Sequence, residues 1–542
     1  MKIALAQLNY HIGNFAANTD KIVSAVRRAK EEGADLIVFA ELAVCGYPPR
    51  DFLEFNDFIE LAEDAVATIA KESVGIGIIV GAPAKNLKEK GKGLFNCAYF
   101  LNEGKVVSQH FKQLLPNYDI FDEYRYFEPA REVECLRFKD KTIALTICED
   151  LWNIKGSYLY RRSPMEHLIQ QSPDLIINIA ASPFSTDQEE RRKAVFDYQV
   201  KKYGLPIIYV NHVGAQTELI FDGGSQLINS EGKAIRTLPY FEEGIMWVDF
   251  DKEEQAKDQQ ILSKYEKIET ALCLGVKDYF RKLGFKKACL GLSGGIDSAL
   301  SLVIAVKALG AENVVPILMP SQFSSDHSIE DSIKLCQNLG CEYHQIPIEE
   351  IYHTFDEKLK PLFKGLAFDL TEENLQSRIR GTLLMAYANK FNAILLNTSN
   401  KSELAVGYGT LYGDMAGGLS VIGDLYKTEV VALSKHFNKT TEVIPKHIIE
   451  KPPSAELRPD QKDSDSLPDY EDLDAILKMY IENRMSPAEI VASGQDEELV
   501  KRSLRLVNIN EYKRHQTAPI LRISEKAFGM GRRMPIVGKY LI

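Results

Sequence analysis

The stretch Leu290-Gly291-Leu292-Ser293-Gly294-Gly295-Ile296-Asp297-Ser298 constrains this chain more than any other. It follows an apolar run and precedes Ala299-Leu300-Ser301-Leu302-Val303-Ile304-Ala305-Val306. Physically it is a strand that ends in two glycines and opens a helix. Several backbone N–H groups and the positive end of a helix dipole then point into one small volume, where an anion such as a phosphate is favoured. The spacing is neither G-x-x-x-x-G-K-[ST] nor G-x-G-x-x-G, so the two commonest nucleotide fingerprints fit poorly. The surrounding pattern sets the fold class. After a helix over 264–283, apolar periodicity predicts strands at 288–292, 314–319, 342–346 and 393–397, alternating with helices at 298–309, 328–339 and 373–390. Such alternation predicts an α/β architecture with a doubly wound parallel sheet, whose ligands sit at the carboxyl ends of the strands. The glycine loop lies at one of those ends.

At 542 residues the chain is too long for one core, and a prior of about 150 residues per domain allows two to four. In the first half, 3–8 reads as a buried strand. Asn18 or Thr19 can cap a helix whose Ile22, Val23, Val26 and Ala29 share a face; Gly33 ends it, and 35–40 returns as a strand. Apolar runs follow at 77–83, 142–147, 175–180 and 206–210, with hairpin turns at Asn102-Glu103-Gly104 and Ser230-Glu231-Gly232. The pattern suggests sheets covered by helices, closing near 248–250. Residues 251–260 hold no apolar side chain except Ala256 and cannot belong to a core. A first domain is therefore placed at 1–250, a linker at 251–263 and a second domain at 264–542. The proline- and aspartate-rich segment 451–470 reads as a mobile loop or a disordered spacer.

Charge and cysteine usage narrow the partners. A net charge of −11 argues against nucleic acid as the main ligand. The eight cysteines, at 45, 97, 135, 148, 273, 289, 336 and 341, have neither disulfide-framework nor zinc spacing, so reduced thiols are expected. No apolar stretch approaches 18 residues and the opening run is too short for a signal peptide. These features predict a cytoplasmic protein with no membrane and no nucleic-acid partner.

Three residues of the first half fall at the ends of expected strands. Glu41 closes one in Ala40-Glu41-Leu42, Lys112 follows another in His110-Phe111-Lys112, and Cys148 follows a third in Thr146-Ile147-Cys148-Glu149-Asp150. Singly, such residues are usually solvated charges or small buried hydrophobes. Converging on one sheet edge, a thiol beside a cation and a base can become a thiolate nucleophile. Glu149 and Asp150 should raise the thiol pKa, so Lys112 must outweigh them. Glu123 is a candidate auxiliary carboxylate, with a solvated surface acid as the alternative.

Ser293-Gly294-Gly295-Ile296-Asp297-Ser298 resembles the pyrophosphate loop of ATP pyrophosphatases, which cleave ATP between its α and β phosphates and adenylate a substrate. Glu41, Lys112 and Cys148 resemble, in order and local context, the Glu-Lys-Cys triad of the nitrilase superfamily of carbon-nitrogen hydrolases. Together the halves resemble the family of glutamine-dependent NAD synthetases along essentially the whole chain. The likeness is carried by 112–123, by Glu373-Asn374-Leu375-Gln376-Ser377-Arg378-Ile379-Arg380-Gly381, by Asn397-Thr398-Ser399-Asn400-Lys401-Ser402-Glu403, by 407–414 and by Pro453-Ser454-Ala455-Glu456-Leu457. It implies an N-terminal α-β-β-α nitrilase-type sandwich joined to a C-terminal Rossmann-like doubly wound parallel sheet.

By the same resemblance, Cys148 attacks a carboxamide carbon, Glu41 relays the thiol proton to departing ammonia, and Lys112 stabilises the oxyanion. Tyr118 and Ser182 hold glutamine. Six positions after Ser182 the family usually carries a basic residue; this chain has Gln188, and Arg191 or Arg192 could take over the carboxylate. The loop Gly291, Leu292, Ser293, Gly294, Gly295, Ile296, Asp297, Ser298 cradles the ATP phosphates, with Thr398 on the nucleotide and Lys427 on the phosphates. Asp297 and Glu403 are the implied Mg2+ ligands, hard oxygens that suit this ion. Asn374, Glu403 and Lys513 contact deamido-NAD. Spacing independently puts Asn374 and Arg378 on one helical face, which a solvent-exposed polar stripe would also explain. The implied reaction adenylates the nicotinate carboxylate of deamido-NAD with ATP, after which ammonia from L-glutamine displaces AMP to give NAD. A homo-oligomeric assembly follows from the resemblance as well, and because free ammonia at cytoplasmic pH is mostly non-nucleophilic ammonium, a direct route between the two centres is expected. Two other readings stay open: another glutamine-fed ligase of the same loop class, or an ammonia-fed synthetase with an inert nitrilase-like scaffold.

Overall fold

The computed structural model describes residues 1–540 apart from 89, 156–158, 253–260, 460 and 466; most of the expected linker thus lies outside the described residues. The chain divides into compact units at 1–262 and 263–542.

In the first unit, β1 (Lys2–Gln7), β2 (Leu36–Val38), β3 (Gly77–Lys85), β4 (Leu94–Asn102) and β5 (Lys105–Phe111) are followed by β6 (Leu136–Phe138), β7 (Lys141–Ile147), β8 (Leu175–Ala180) and β9 (Ile207–Asn211). A small hairpin, β10 (Val213–Gln216) and β11 (Leu219–Asp222), precedes β12 (Gln226–Ile228), β13 (Ala234–Thr237) and β14 (Gly244–Asp249). Two six-stranded sheets result, ordered β14-β1-β2-β3-β4-β5 and β13-β12-β9-β8-β7-β6. Period-two alternation makes them a sandwich. Ile3, Leu5, Leu36, Val38 and Ile79 join β7, β8 and β9 residues in one buried cluster, whereas Ala4, Ala6, Ile37, Ile78 and Val80 pack on Ile22, Val26, Ala62 and Ile69 of two outer helices. The layers run α-β-β-α, as expected. Turns at Glu103 and Gly104, both with positive φ, close β4 onto β5.

One local expectation is corrected. The first helix spans Phe15–Glu31 and is capped by Asn14, whose side chain accepts from the Ala17 N–H at 3.2 Å. Asn18 lies inside it and is buried: its amide bonds the backbone of His11 and the Val44 carbonyl, tying the helix to the turn after β2. Three structural hydrogen bonds there outweigh a cap.

The second unit opens with the helix Lys264–Leu283, held at its start by a Ser263–Glu266 capping box and ended by Gly284 at φ +79°. Its sheet contains β15 (Lys287–Gly291), β16 (Val314–Leu318), β17 (His344–Gln345), β18 (Ala393–Asn397) and β19 (Leu419–Ser420), ordered β17-β16-β15-β18-β19 with all pairs parallel. The expected strand at 342–346 shrinks to the edge pair β17. Strand order reverses between β15 and β18, the switch point where ligands bind in such sheets. The glycine loop follows β15 there, and Gly295 caps the helix Ile296–Leu309, two residues earlier than expected.

Candidate active sites

In the first unit, Glu41, Lys112 and Cys148 lie beyond the ends of β2, β5 and β7 and are all buried. Gly81 on β3 permits this: a Cβ there would stand 2.3 Å from Leu42 N and 2.6 Å from Ala40 O, so only glycine lets the Glu41 turn approach β3. Lys112 Nζ donates to Glu41 Oε1 at 2.7 Å and to Glu123 Oε1 at 2.8 Å. Asn96 bridges the same carboxylates, at 2.7 Å to Glu41 and 3.2 Å to Glu123, while Ala181 N–H donates to Glu41 Oε2 at 2.9 Å. Tyr47 OH completes the set on Glu123 at 2.9 Å. Glu123 is therefore no solvated acid but the second carboxylate of the lysine. Burial alone would lower the Lys112 pKa; Glu123 and Glu41 reverse this and hold the ammonium charged.

Cys148 adopts φ +42° in the turn after β7, a position strained for a side chain. Asp150 stabilises that turn by accepting from the N–H groups of Gln113, Leu114 and Ile147 at 2.9–3.0 Å. Burial and then Glu41 push the thiol well above its ordinary pKa, and Lys112 opposes without prevailing. Lys112 acts on the thiol more strongly than the adjacent Glu149, as expected, and it is burial together with Glu41 that keeps the pKa raised. Burial raises Glu149 to about 7, and its carboxylate accepts from Tyr118 OH at 3.0 Å and Tyr160 OH at 3.1 Å. Ser182, buried, is fixed by Asn211 and receives Gln188 Nε2 on its hydroxyl at 3.1 Å. Arg192 does not stand in for the missing cation: it is buried in an ion pair with Asp222, Nη1 to Oδ1 at 2.8 Å. Arg191 is exposed on the same helix. Sequence reasoning missed Asn96, Tyr47 and Tyr160; nothing in their local sequence marks them.

In the second unit a cavity of about 280 Å³ opens at the switch point, lined by Gly291, Leu292, Ser293, Gly295, Ile296, Asp297 and Ser298 with Thr398, Glu403 and Lys427. Gly294 faces away at φ +76°, where a Cβ would meet Ser328 O at 2.4 Å. Ser293 and Ser298 brace the loop through their hydroxyls at 3.2 Å. Asn400 Nδ2 holds Asp297 Oδ1 at 2.9 Å, and Lys427 Nζ lies 2.5 Å from Asp297 Oδ2 and 3.5 Å from Glu403 Oε1. Burial followed by the Asp297 charge raises Glu403 to about 8. Among the described residues no three or more His, Cys, Asp or Glu side chains gather to hold a metal by themselves. Two carboxylates sharing one ammonium beside a phosphate-type loop suit Mg2+, which takes one or two carboxylates and completes its shell with substrate phosphates and water.

Asn374 and Lys513 do not line that cavity. They meet the neighbouring loop instead, Asn374 accepting from Thr410 at 2.7 Å and Lys513 donating to Gly407 O and Gly409 O at 2.8 and 2.9 Å. Arg378, itself exposed, reaches the same loop through Leu411 O at 3.2 Å, so the shared helical face lies against that loop while keeping a solvated edge. Arg380, two residues on, lines the cavity, and burial lowers its pKa to about 10.

Residues 2–260 match the carbon-nitrogen hydrolase family and 268–517 the NAD synthase family. The chain is 48% identical to a glutamine-dependent NAD(+) synthetase of Synechocystis sp., covering 98% of each. It belongs to the glutamine-dependent NAD(+) synthetases. Within this family of ligases, the synthetase from Acinetobacter baumannii, solved in complex with adenosine diphosphate, is 39% identical and superposes with a TM-score of 0.79 over 99% of this chain and 98% of that one. The synthetase from Cytophaga hutchinsonii has the same fold, with a TM-score of 0.84 at 22% identity over 99% and 98% of the two chains. Among the described residues no helix is long and apolar enough to cross a membrane.

Proposed function

We propose that this chain makes NAD from deamido-NAD, ATP and L-glutamine, with AMP, pyrophosphate and glutamate as by-products. One observation carries the reading: a single chain holds both a buried Glu–Lys–Cys cluster and a glycine loop whose aspartate pairs with a lysine over a nucleotide-sized cavity.

In the first unit, Cys148 Sγ attacks the side-chain carbonyl carbon of glutamine as its proton passes to Glu41. The oxyanion forms beside the Lys112 ammonium, which is already charged and needs no reorganisation. Collapse of the intermediate expels ammonia carrying the Glu41 proton, leaving a thioester on Cys148. Water, deprotonated by Glu41, then releases glutamate. Tyr118, Ser182 and Gln188 grip the amino acid. Glu149, oriented by two tyrosine hydroxyls, offers a carboxylate to its α-ammonium.

In the second unit, the loop 291–298 and Lys427 receive the ATP phosphates and Thr398 the nucleotide. Asn374, Glu403 and Lys513 contact deamido-NAD. Its nicotinate carboxylate attacks the α-phosphorus, pyrophosphate leaves, and ammonia then displaces AMP from the acyl carbon. Asp297 and Glu403 would hold Mg2+, which when bound neutralises charge developing on the departing pyrophosphate. The eight free thiols suit the reducing cytoplasm, and a homo-oligomer is part of the reading.

The test is Cys148→Ala, assayed with glutamine and with ammonium chloride as nitrogen source, scoring NAD, AMP and pyrophosphate. The variant should lose glutamine-driven turnover by at least about 10³-fold while keeping ammonia-driven turnover. Loss of both or of neither contradicts the division of labour, and ADP as product contradicts the adenylate.

A further inference from the structure

Residues 400–403 alternate between the site and the scaffold. Asn400 holds Asp297 and Glu403 faces Lys427, whereas the two residues between them point the other way. Ser402 accepts from the Lys427 N–H at 2.9 Å and donates to Asp474 Oδ1 at 2.5 Å. Lys401 is wholly buried, and its ammonium reaches Asp424 Oδ1 at 2.9 Å, Glu482 Oε1 at 2.8 Å and Ser524 Oγ at 2.7 Å under the face of the Tyr426 ring. Asp424 in turn accepts from the N–H groups of Ile523 and Ser524 at 2.8 and 2.7 Å. One ammonium thus joins four segments: the start of the helix Lys401–Val406, the turn leading to Lys427, the end of the helix Tyr470–Ile481, and residues 523–524.

A buried ion cluster of this kind is a poor source of stability, because desolvating three charges offsets most of their attraction. Its better-attested use is to fix register. Here the register matters chemically: sliding the helix start moves Glu403, and sliding the turn moves Lys427, the two groups that flank Asp297. Lys401 N–H donating to Leu425 O at 2.8 Å ties the same two segments through backbone as well.

We propose that Lys401 is a positioning residue of the synthetase centre, setting through Asp424 the spacing of Glu403 and Lys427 about Asp297, and so the affinity for ATP with its divalent cation. The proposal rests on the reading of Asp297, Glu403 and Lys427 as the phosphate and metal site.

The full chain is made with Lys401→Met, which keeps the volume and removes the charge, and with Lys401→Met/Asp424→Asn, which also removes one of the two carboxylate charges. For each, the thermal midpoint, binding of ATP with Mg2+ measured calorimetrically without deamido-NAD, ammonia-driven NAD formation and glutamine hydrolysis are recorded. Lys401→Met should weaken ATP binding and raise the Mg2+ requirement about tenfold, the lower end of what loss of a group that orients metal ligands costs, and leave glutamine hydrolysis unchanged. The double variant should regain part of the thermal midpoint, Glu482 remaining unpaired, without regaining ATP affinity. Wild-type ATP and Mg2+ dependences in either folded variant, or ATP affinity that recovers in step with the midpoint, would overturn the proposal. Wild-type protein that binds ATP with Mg2+ yet makes no NAD counts against the proposed function alone, since the affinities of the variants still report on positioning.

Discussion

A thiol surrounded by carboxylates is a poor nucleophile until something neutralises the field, and Cys148 is such a thiol. Burial and Glu41 keep it protonated near neutral pH despite Lys112. A neutral alkylating agent should therefore react with it more slowly than with free cysteine at pH 7. The rate should climb about tenfold per pH unit as the thiolate fraction grows. Iodoacetamide labelling followed by mass spectrometry, with Cys148→Ala as control, checks this; rapid labelling at pH 7 refutes it. Gln188 carries a second consequence. Its amide reaches the Ser182 hydroxyl but brings no charge to a substrate carboxylate, and Arg192 is committed to Asp222. Gln188→Arg should lower the KM for glutamine with little change in kcat, by about 1.5–3 kcal/mol if a charge-assisted bond forms. Steady-state glutaminase kinetics decide the matter, and an unchanged KM removes Gln188 from the carboxylate subsite. At this scale the sequence is readable where residue type and strand end coincide, as at Lys112 and Cys148. It is silent where a partner comes from far along the chain: Asn96 lies 55 residues from Glu41 and Tyr118 lies 31 from Glu149. No local pattern encodes those pairings.

Secondary structure was legible where one periodicity dominates. The helix Lys264–Leu283 follows from its amphipathic stripe, serine cap and terminal glycine. The first helix starts earlier than its polar residues suggest because Asn18, chemically a good cap, is recruited into the interior by His11 and Val44. The edge strand β17 is short because only two residues meet a neighbour. Glycines at element ends carry the sharper test. Gly81 lets β3 approach the Glu41 turn, and Gly294 lets the phosphate loop pass under Ser328. A Cβ at either meets backbone that cannot yield without moving a catalytic segment, at a cost of about 1–3 kcal/mol. Gly81→Ala should depress glutamine hydrolysis and spare ammonia-driven NAD formation, and Gly294→Ala should do the reverse. Assaying both half-reactions on both variants separates the two effects; a variant that damages both alike shows general unfolding instead.

At the scale of the molecule, each half carries what a fold needs. The first unit has its own inter-sheet and sheet-to-helix clusters, and in the second the cluster around Cys289, Ile317 and Leu395 and that around Leu404, Leu473 and Val507 draw on residues of that half alone. The chain divides between Leu262 and Ser263, beside the polar stretch that reads as coreless. A core of this size in each half predicts autonomous folding. Expressed separately, 1–262 should unfold cooperatively and hydrolyse glutamine, and 263–542 should make NAD from ammonium chloride with a KM for ATP within about threefold of the full chain, since all the groups argued to touch ATP lie inside it. Mixing the two pieces should not restore glutamine-driven NAD formation to the rate of the intact chain at the same ammonia output. Ammonia released into buffer at neutral pH is mostly ammonium, which has no lone pair to attack an acyl-adenylate. Coupling is therefore expected to depend on the covalent join, and the ratio of NAD formed to glutamate released measures it. A ratio near one in the mixture would mean that diffusion through bulk solvent suffices and that fusion of the halves serves another purpose.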